Sequence, residues 1–232
     1  MATTGLVQGA RAARSTITLK LLMAASGVIF LLFVLAHMYG NLQAFAGHDS
    51  FNEYAEHLRS IGEPMFPHSG LLWVLRVGLV AALVLHVACA AALWRRAGQA
   101  RSQRYAMRKY RSSTLASRTM RWGGLTILVF LVWHLLNFTI GKVNPQGGPT
   151  DDPYDLLVDT FDLWWMTLIY LAAMLALGLH LRHGVWSAAQ TLGLTNTARA
   201  RRGFNLMGIT LAVVIAGGFS LVPIFVLAGV ID

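Results

Sequence analysis

The chain has 232 residues, of which 56% are hydrophobic and 12% are charged, and its formal net charge is +9. This composition excludes a disordered protein and is unlike that of an ordinary soluble domain. Because Cys89 is the only cysteine, the chain cannot form an internal disulfide, or an iron–sulfur or zinc site made of cysteines alone.

Five apolar runs follow one another along the chain, and each comes close to the length of about 20 residues that a helix needs to cross a bilayer. Helix is the expected form because an isolated strand would leave its backbone groups unpaired in lipid. The sequence therefore predicts an all-α membrane protein in which residues 1–232 form one integral-membrane domain. Its five transmembrane helices are predicted at residues 19–40, 71–94, 122–140, 163–186 and 205–230.

The region before the first run carries basic residues but no apolar core of a signal peptide, so we expect that run to stay as a spanning helix. The charges are then separated by sign. All ten acidic residues lie between runs one and two, between runs three and four, or at the C-terminus, whereas most basic residues lie in the other segments. The positive-inside rule predicts a cytoplasmic N-terminus and an external C-terminus.

The connection between runs two and three is strongly basic. We expect this charge to set the topology or to dock a soluble partner, and no aromatic interleaving or binding motif beside it points to nucleic acid. Its nine basic residues are Arg95, Arg96, Arg101, Arg104, Arg108, Lys109, Arg111, Arg118 and Arg121.

The most informative residues are five histidines inside the apolar runs. Ionisable side chains are costly within a bilayer, so each of them is a functional candidate. A helix rises about 1.5 Å per residue, and counting from the ends of the runs sorts four of them into two layers. The outer pair is His37 and His134, and the inner pair is His86 and His180; the fifth, His183, lies nearer the water.

Two histidines at one depth on facing helices suit the iron of a b-type haem, which takes one imidazole on each side. The outer and inner pairs are thus candidate axial ligands of two haems stacked as an electron path. The first four helices are expected to form the haem-binding bundle. The alternative is a haem-free, proton-coupled transporter with a histidine relay. Such a transporter would usually carry Asp or Glu in its spans, and the apolar runs contain none.

Three further side chains are candidate partners of the anionic haem propionates. Arg76 lies near the outer layer and Arg182 near the inner one, which gives one guanidinium for each haem. The alternative for both is snorkelling of the guanidinium to the lipid headgroups. His183 is either a propionate partner or a structural residue at the membrane interface.

Two stretches of the chain resemble a known family. One is HMYGNL at residues 37–42, which is followed by Gly47 and by FNEY at residues 51–54; the other is HLRHGVW at residues 180–186. Both are similar to the cytochrome b membrane anchor of bacterial succinate dehydrogenases with a single, dihaem, five-helix anchor (type B). The family includes fumarate reductases. The helix count, the topology and the four deep histidines follow the same pattern, so the resemblance covers nearly the whole chain.

The resemblance implies a multi-pass protein of the bacterial cytoplasmic membrane that is not a complete enzyme by itself. It would anchor the flavoprotein and iron–sulfur subunits of succinate dehydrogenase at the cytoplasmic face, and those partners alone would carry FAD and iron–sulfur clusters. Electrons would pass through two b haems to a quinone, often menaquinone. The family's ligands map onto His86 with His180 for the proximal haem, and onto His37 with His134 for the distal haem.

Several points stay open at this stage. The partner could instead be another respiratory dehydrogenase, such as a hydrogenase or a formate dehydrogenase. The complex could also run as a fumarate reductase or assemble into a higher oligomer. The quinone site is not assigned. Candidate polar residues are Asn41, Gln43, Tyr54, Glu56 and His57 near the outer layer, and Ser26, Arg14 and the residues before Trp122 near the inner layer.

Overall fold

The computed structural model of the chain describes residues 15–99, 115–140, 143–147 and 150–232, and within residues 115–118 it describes the backbone alone. Several basic residues, most of them named above, lie outside this part of the chain. They are Arg11, Arg14, Arg101, Arg104, Arg108, Lys109, Arg111 and the side chain of Arg118.

The described residues form seven α-helices and contain five helices long and apolar enough to cross a membrane, which confirms the five predicted spans. The spanning helices are α1, α3, α4, α6 and α7 in the numbering that follows. In chain order the helices are α1 (Thr16–Leu42), α2 (His48–Ser60), α3 (Gly70–Gln99), α4 (Leu115–Leu135), α5 (Pro153–Asp162), α6 (Trp164–Thr191) and α7 (Ala198–Leu227). A 3-10 turn, Gln43–Ala46, extends α1, and a π-helical turn, Leu136–Ile140, extends α4.

The helix ends follow from local side-chain chemistry. Ser15 caps α1 and Thr197 caps α7, because each hydroxyl accepts a hydrogen bond from a backbone N–H three residues later. Asp152 caps α5 in the same way, with Pro153 at the first helical position where no N–H is needed. Gly193 ends α6 with a φ of 73°, a left-handed conformation that glycine adopts without strain.

The helices run further than the apolar runs. Helix α3 extends past residue 94 to Gln99, the last described residue before residue 100. Helix α6 ends at Thr191 rather than at residue 186, and α7 begins at Ala198 rather than at residue 205. Hydropathy marks only the part of a helix that lipid surrounds, whereas alanine, arginine and glutamine continue a helix into water at little cost.

Helix α6 lies at the centre of the bundle. It packs against α1, α4, α5 and α7, whereas α3 packs chiefly on α1. The most apolar segment of α6 is 39% buried and that of α7 is 28% buried, but the corresponding segments of α1, α3 and α4 are only 6% to 11% buried. Most of the surface of these three helices is therefore free to face lipid or a bound group.

Two short helices cover the end of the bundle beside the outer histidine pair. They are α2 and α5, and they contact each other through hydrogen bonds from His48 and Asn52 to the Asp152 carboxylate. Tyr154 and Phe161 of α5 are buried in the apolar cluster that α6 and α7 form with it. From the sequence these segments were expected to be connections, and no helices were predicted in them.

Candidate functional site

The structure brings the four deep histidines together in the two pairs that the depth count defined. In the outer pair the ring centroids of His37 on α1 and His134 on α4 are 5.7 Å apart, with the ring planes at 80°. In the inner pair the centroids of His86 on α3 and His180 on α6 are 6.3 Å apart, with the planes at 55°. Each of the four helices thus contributes one imidazole to one of the two pairs.

These separations fit a metal ion held between two imidazoles. A metal–nitrogen bond of about 2 Å on each side, with each nitrogen about 1 Å from its ring centroid, places two opposite imidazoles with their centroids about 6 Å apart. The distances of 5.7 Å and 6.3 Å lie on either side of that value. The donor set, two imidazoles in an apolar bundle, is the set that haem iron takes.

The paired histidines lie on helices that are not close neighbours. Among the described residues, α1 and α4 make few close backbone contacts, and the same is true of α3 and α6. Helix α3 packs chiefly on α1, and α4 packs chiefly on α6. Each pair therefore reaches across the bundle, so that a group held between its imidazoles would lie in the interior.

Aromatic rings surround the outer pair. Phe33 stacks on His37 at 5.3 Å with the planes at 10°, and Phe219 of α7 contacts the same imidazole at 5.5 Å. Phe130 and Phe138 lie 5.8 Å and 5.5 Å from the ring of His134. This enclosure excludes water and offers flat apolar surfaces to a planar ligand.

A serine is hydrogen-bonded to the inner pair. Ser26 on α1 is 1% exposed, and its hydroxyl lies 3.0 Å from Nδ1 of His86. The same hydroxyl donates to the carbonyl of Leu22, one turn earlier in α1, at 2.8 Å. Ser26, a candidate quinone contact from the sequence, thus lies against a histidine of the site.

A polar network reaches the outer pair from the covering helix α5. The hydroxyl of Tyr170 lies 3.4 Å from Nδ1 of His134 and donates to Oδ1 of Asn137 at 3.0 Å. The amide of Asn137 donates to the Val143 carbonyl at 2.7 Å and to the Thr160 hydroxyl at 3.3 Å. Asn137 lies in the π-helical turn, and such turns are frequent at functional sites.

Two glycines face the imidazoles of the inner pair. A Cβ at Gly27 would lie 3.7 Å from Cε1 of His86, and a Cβ at Gly124 would lie 3.4 Å from Cε1 of His180. Glycine at these positions places no side chain against the Cε1 edge of either ring. A groove of about 310 Å³ between α4 and α6 also reaches His180, whose Nδ1 is buried without a hydrogen-bond partner among the described residues.

The candidate propionate partners lie apart from these networks. The guanidinium of Arg76 lies 5.1 Å over the ring of Trp73, which is 59% exposed, as expected for an arginine at the membrane interface. Arg182 and His183 follow His180 on α6 and are half-buried. No hydrogen bond or ion pair within the described part of the chain joins any of the three to the paired histidines, so their role toward propionates stays a prediction.

The candidate quinone-binding residues near the outer layer mostly make contacts with other residues of the protein. The amide of Asn41 donates to the His37 carbonyl within α1 at 2.9 Å. The ring of Tyr54 packs where a Cβ of Gly40 would stand and lies 6.0 Å from the ring of Tyr39. Glu56 pairs with Arg59 one turn away. The position of a quinone therefore stays unassigned.

A group of possible metal ligands lies at the junction of α2 and α5. Ligand atoms of His48, Asp152 and Asp155 come within 4.8 Å of one another. However, one oxygen of Asp152 accepts the backbone N–H groups of Tyr154 and Asp155, and the other accepts the Asn52 amide and faces His48. Helix capping and the α2–α5 junction account for this arrangement without an ion.

Tyr170 and Asn137 were not predicted from the sequence. The sequence does point to them, because both are polar residues inside apolar runs, where a polar side chain needs a hydrogen-bond partner.

No protein family, curated protein or solved structure matches this chain. Its function is therefore inferred from the geometry of the histidine pairs and from the motifs that contain His37 and His180.

Proposed function

We propose that this chain is the membrane-anchor cytochrome b subunit of a bacterial succinate:quinone oxidoreductase, respiratory complex II. In this role it carries electrons from an iron–sulfur subunit through two b haems to a membrane quinone, menaquinone. The observation that carries the proposal is the presence of two histidine pairs at two depths of one bundle, each with a ring separation suited to one metal ion. The motifs at residues 37–42 and 180–186 favour this family over other haem b anchors.

In this role the protein's own residues would bind the haem iron, orient the imidazoles and exclude water. Haem bound between two imidazoles supplies one-electron transfer at its iron. His86 with His180 would hold the inner haem, and His37 with His134 the outer one. The apolar bundle keeps water from both pairs, which prevents protonation of the imidazoles from competing with ligation.

The ends of the bundle differ in charge, which suits docking at one end. Arg121 at the start of α4 lies 5.3 Å over the ring of Trp94 near the end of α3, so these two termini are neighbours. Exposed Arg95 lies at the same end, as do Arg199 and Arg201 at the start of α7. By the positive-inside rule this end is cytoplasmic. It is the face on which the proposal places the flavoprotein and iron–sulfur subunits.

The experiment is a reduced-minus-oxidised absorption spectrum of the complex purified from its native membrane, together with the haem-to-protein ratio. We expect two b haems per chain, and we expect succinate to reduce them through the partner subunits. Reduction by hydrogen or formate, but not by succinate, would mean that the partner is a different dehydrogenase. A folded chain that copurifies with partners and contains no haem would overturn the proposal and favour a histidine proton relay.

A further inference from the structure

The hydrogen bonds at the inner pair centre on the hydroxyl of Ser26. Its hydroxyl has one proton, and the Leu22 carbonyl at 2.8 Å can only accept. The hydroxyl also lies 3.2 Å from the Met23 carbonyl, which likewise only accepts. With its proton directed to these carbonyls, as serine in a helix commonly directs it, a lone pair of the serine oxygen faces Nδ1 of His86 at 3.0 Å. A hydrogen bond at that contact requires His86 to carry its proton on Nδ1.

The outer pair has a comparable hydroxyl, that of Tyr170. The amide nitrogen of Asn137 donates to the Val143 carbonyl, so its oxygen is the atom that faces Tyr170 and must accept. The Tyr170 proton is thus directed to Asn137, and the phenol oxygen is left to face Nδ1 of His134 at 3.4 Å. The contact again requires the imidazole proton on Nδ1, although its length makes it the weaker of the two.

A neutral imidazole with its proton on Nδ1 has its only lone pair on Nε2. In each pair one histidine is therefore turned by a hydroxyl so that Nε2 is the free donor atom. The other histidine of the inner pair, His180, has no hydrogen bond of this kind, because its Nδ1 is buried without a hydrogen-bond partner among the described residues. The inner pair thus combines one fixed and one unfixed imidazole.

We propose that Ser26 and Tyr170 are positioning residues that fix His86 and His134 as the Nδ1–H tautomers, so that Nε2 of each binds the metal. This inference rests on the proposed function, since it assumes that the histidine pairs hold haem. An imidazole that donates a hydrogen bond from Nδ1 is a more basic ligand, which stabilises the oxidised iron and lowers its potential. Each hydroxyl should therefore tune the haem in its own layer.

The test is a redox titration of the purified complex, with optical and electron paramagnetic resonance detection, on wild type, Ser26→Ala, Ser26→Thr and Tyr170→Phe. Ser220→Ala is the matched control, because the Ser220 hydroxyl donates to the Ala216 carbonyl one turn earlier at 2.7 Å, as Ser26 does to Leu22. Single variants His37→Ala and His180→Ala assign each potential to the outer or the inner haem.

In Ser26→Ala we expect two haems per chain, a higher potential for the inner haem and a changed g tensor of its oxidised form. Ser26→Thr should restore both readouts, Ser220→Ala should change neither, and Tyr170→Phe should raise the outer potential alone. Unchanged potentials in Ser26→Ala, or an equal change in Ser220→Ala, would overturn the inference while leaving the proposed function intact. A wild-type complex without haem would overturn the proposed function, and this inference with it.

Discussion

At the scale of single residues, the spanning helices contain few polar side chains, and most of those close to the histidines have partners. Lipid offers no hydrogen bonds, so a polar group in a span is stable only when the protein satisfies it. The Ser26 hydroxyl is hydrogen-bonded to a carbonyl of its own helix and to His86. Asn137, which is fully buried, uses Tyr170, Thr160 and the Val143 carbonyl.

Tyr170→Phe should destabilise the folded chain. The substitution removes the hydroxyl that donates to Oδ1 of Asn137 at 3.0 Å and leaves that buried oxygen with no donor in the described part of the chain. An unsatisfied buried acceptor costs about 1–3 kcal/mol. Denaturant unfolding of the purified complex in detergent, followed by circular dichroism, measures the change. Tyr39→Phe is the control because that ring is 60% exposed. Equal stability of both variants would contradict the importance of the network.

At the scale of elements, the most extensive helix packing among the described residues lies between α6 and α7. Gly208 of α7 is buried against the backbone carbonyl of Arg182, two residues beyond His180 on α6. A second small residue, Gly178 of α6, faces the Ala216 side chain of α7. Small residues allow two membrane helices to approach closely, and this contact holds α6 in place.

Gly208→Ala should weaken the α6–α7 contact. Its new Cβ would stand 3.0 Å from the Arg182 carbonyl oxygen, and a backbone atom cannot turn away as a side chain can. We expect a loss of about 1–3 kcal/mol, the usual cost of overpacking. Gly217→Ala on the same helix is the control, because no described atom outside its own stretch of helix lies within 4 Å of the added Cβ and alanine favours helix. Thermal unfolding of both variants measures the difference; similar melting temperatures would disprove a tight contact.

The junction of the covering helices α2 and α5 should depend on pH in both directions. The hydrogen bond to Asp49 raises the pKa of His48 above its ordinary value; desolvation opposes this, and Asp152 raises it further. Burial pushes the pKa of Asp152 upward. However, hydrogen bonds from Asn52, from the backbone N–H groups of Asp155 and Tyr154, and from His48 outweigh it, so the pKa is lowered. The stabilisation from Asp152 is lost as the pH falls through its lowered pKa, and that from His48 is lost as the pH rises through its raised pKa.

We therefore expect the α2–α5 junction to be most stable between about pH 4 and pH 6.5, the ordinary pKa values of the two groups. Hydrogen exchange of the Tyr154 and Asp155 amides, which Asp152 accepts, measures this when corrected for intrinsic rates. Protection should decrease on both sides of the window. His48→Gln should keep the acid limb and lose the alkaline one. A wild-type protection profile that is flat above pH 6.5 would exclude a contribution from charged His48.

At the scale of the whole molecule, hydropathy and the fixed rise of a helix made much of the fold predictable. Apolar runs predict spans because lipid forces the backbone to pair within a helix, and counting residues gives depth. From the sequence alone, the depth count pairs His37 with His134 and His86 with His180. These pairs meet in the structure, although their role as ligands stays a prediction.

The contacts between elements were not predictable in the same way. The hydrogen bond between His86 and Ser26 depends on how α3 is rotated against α1, and no local pattern in one sequence encodes that rotation. Helices α2 and α5 are short and carry charged residues, and they are stabilised by contacts with each other and with the bundle rather than by their own composition. Propensity alone therefore does not identify them.

The most direct measurement is the haem content and redox titration of four single variants, each with one deep histidine replaced by alanine. We predict that His37→Ala and His134→Ala lose the same haem, and that His86→Ala and His180→Ala lose the other. The control is a variant of exposed His57 on α2, His57→Ala, which should keep both haems. If the losses divide in any other way, or if all four variants keep the haem content of the wild type, the two-layer assignment of the histidines is wrong.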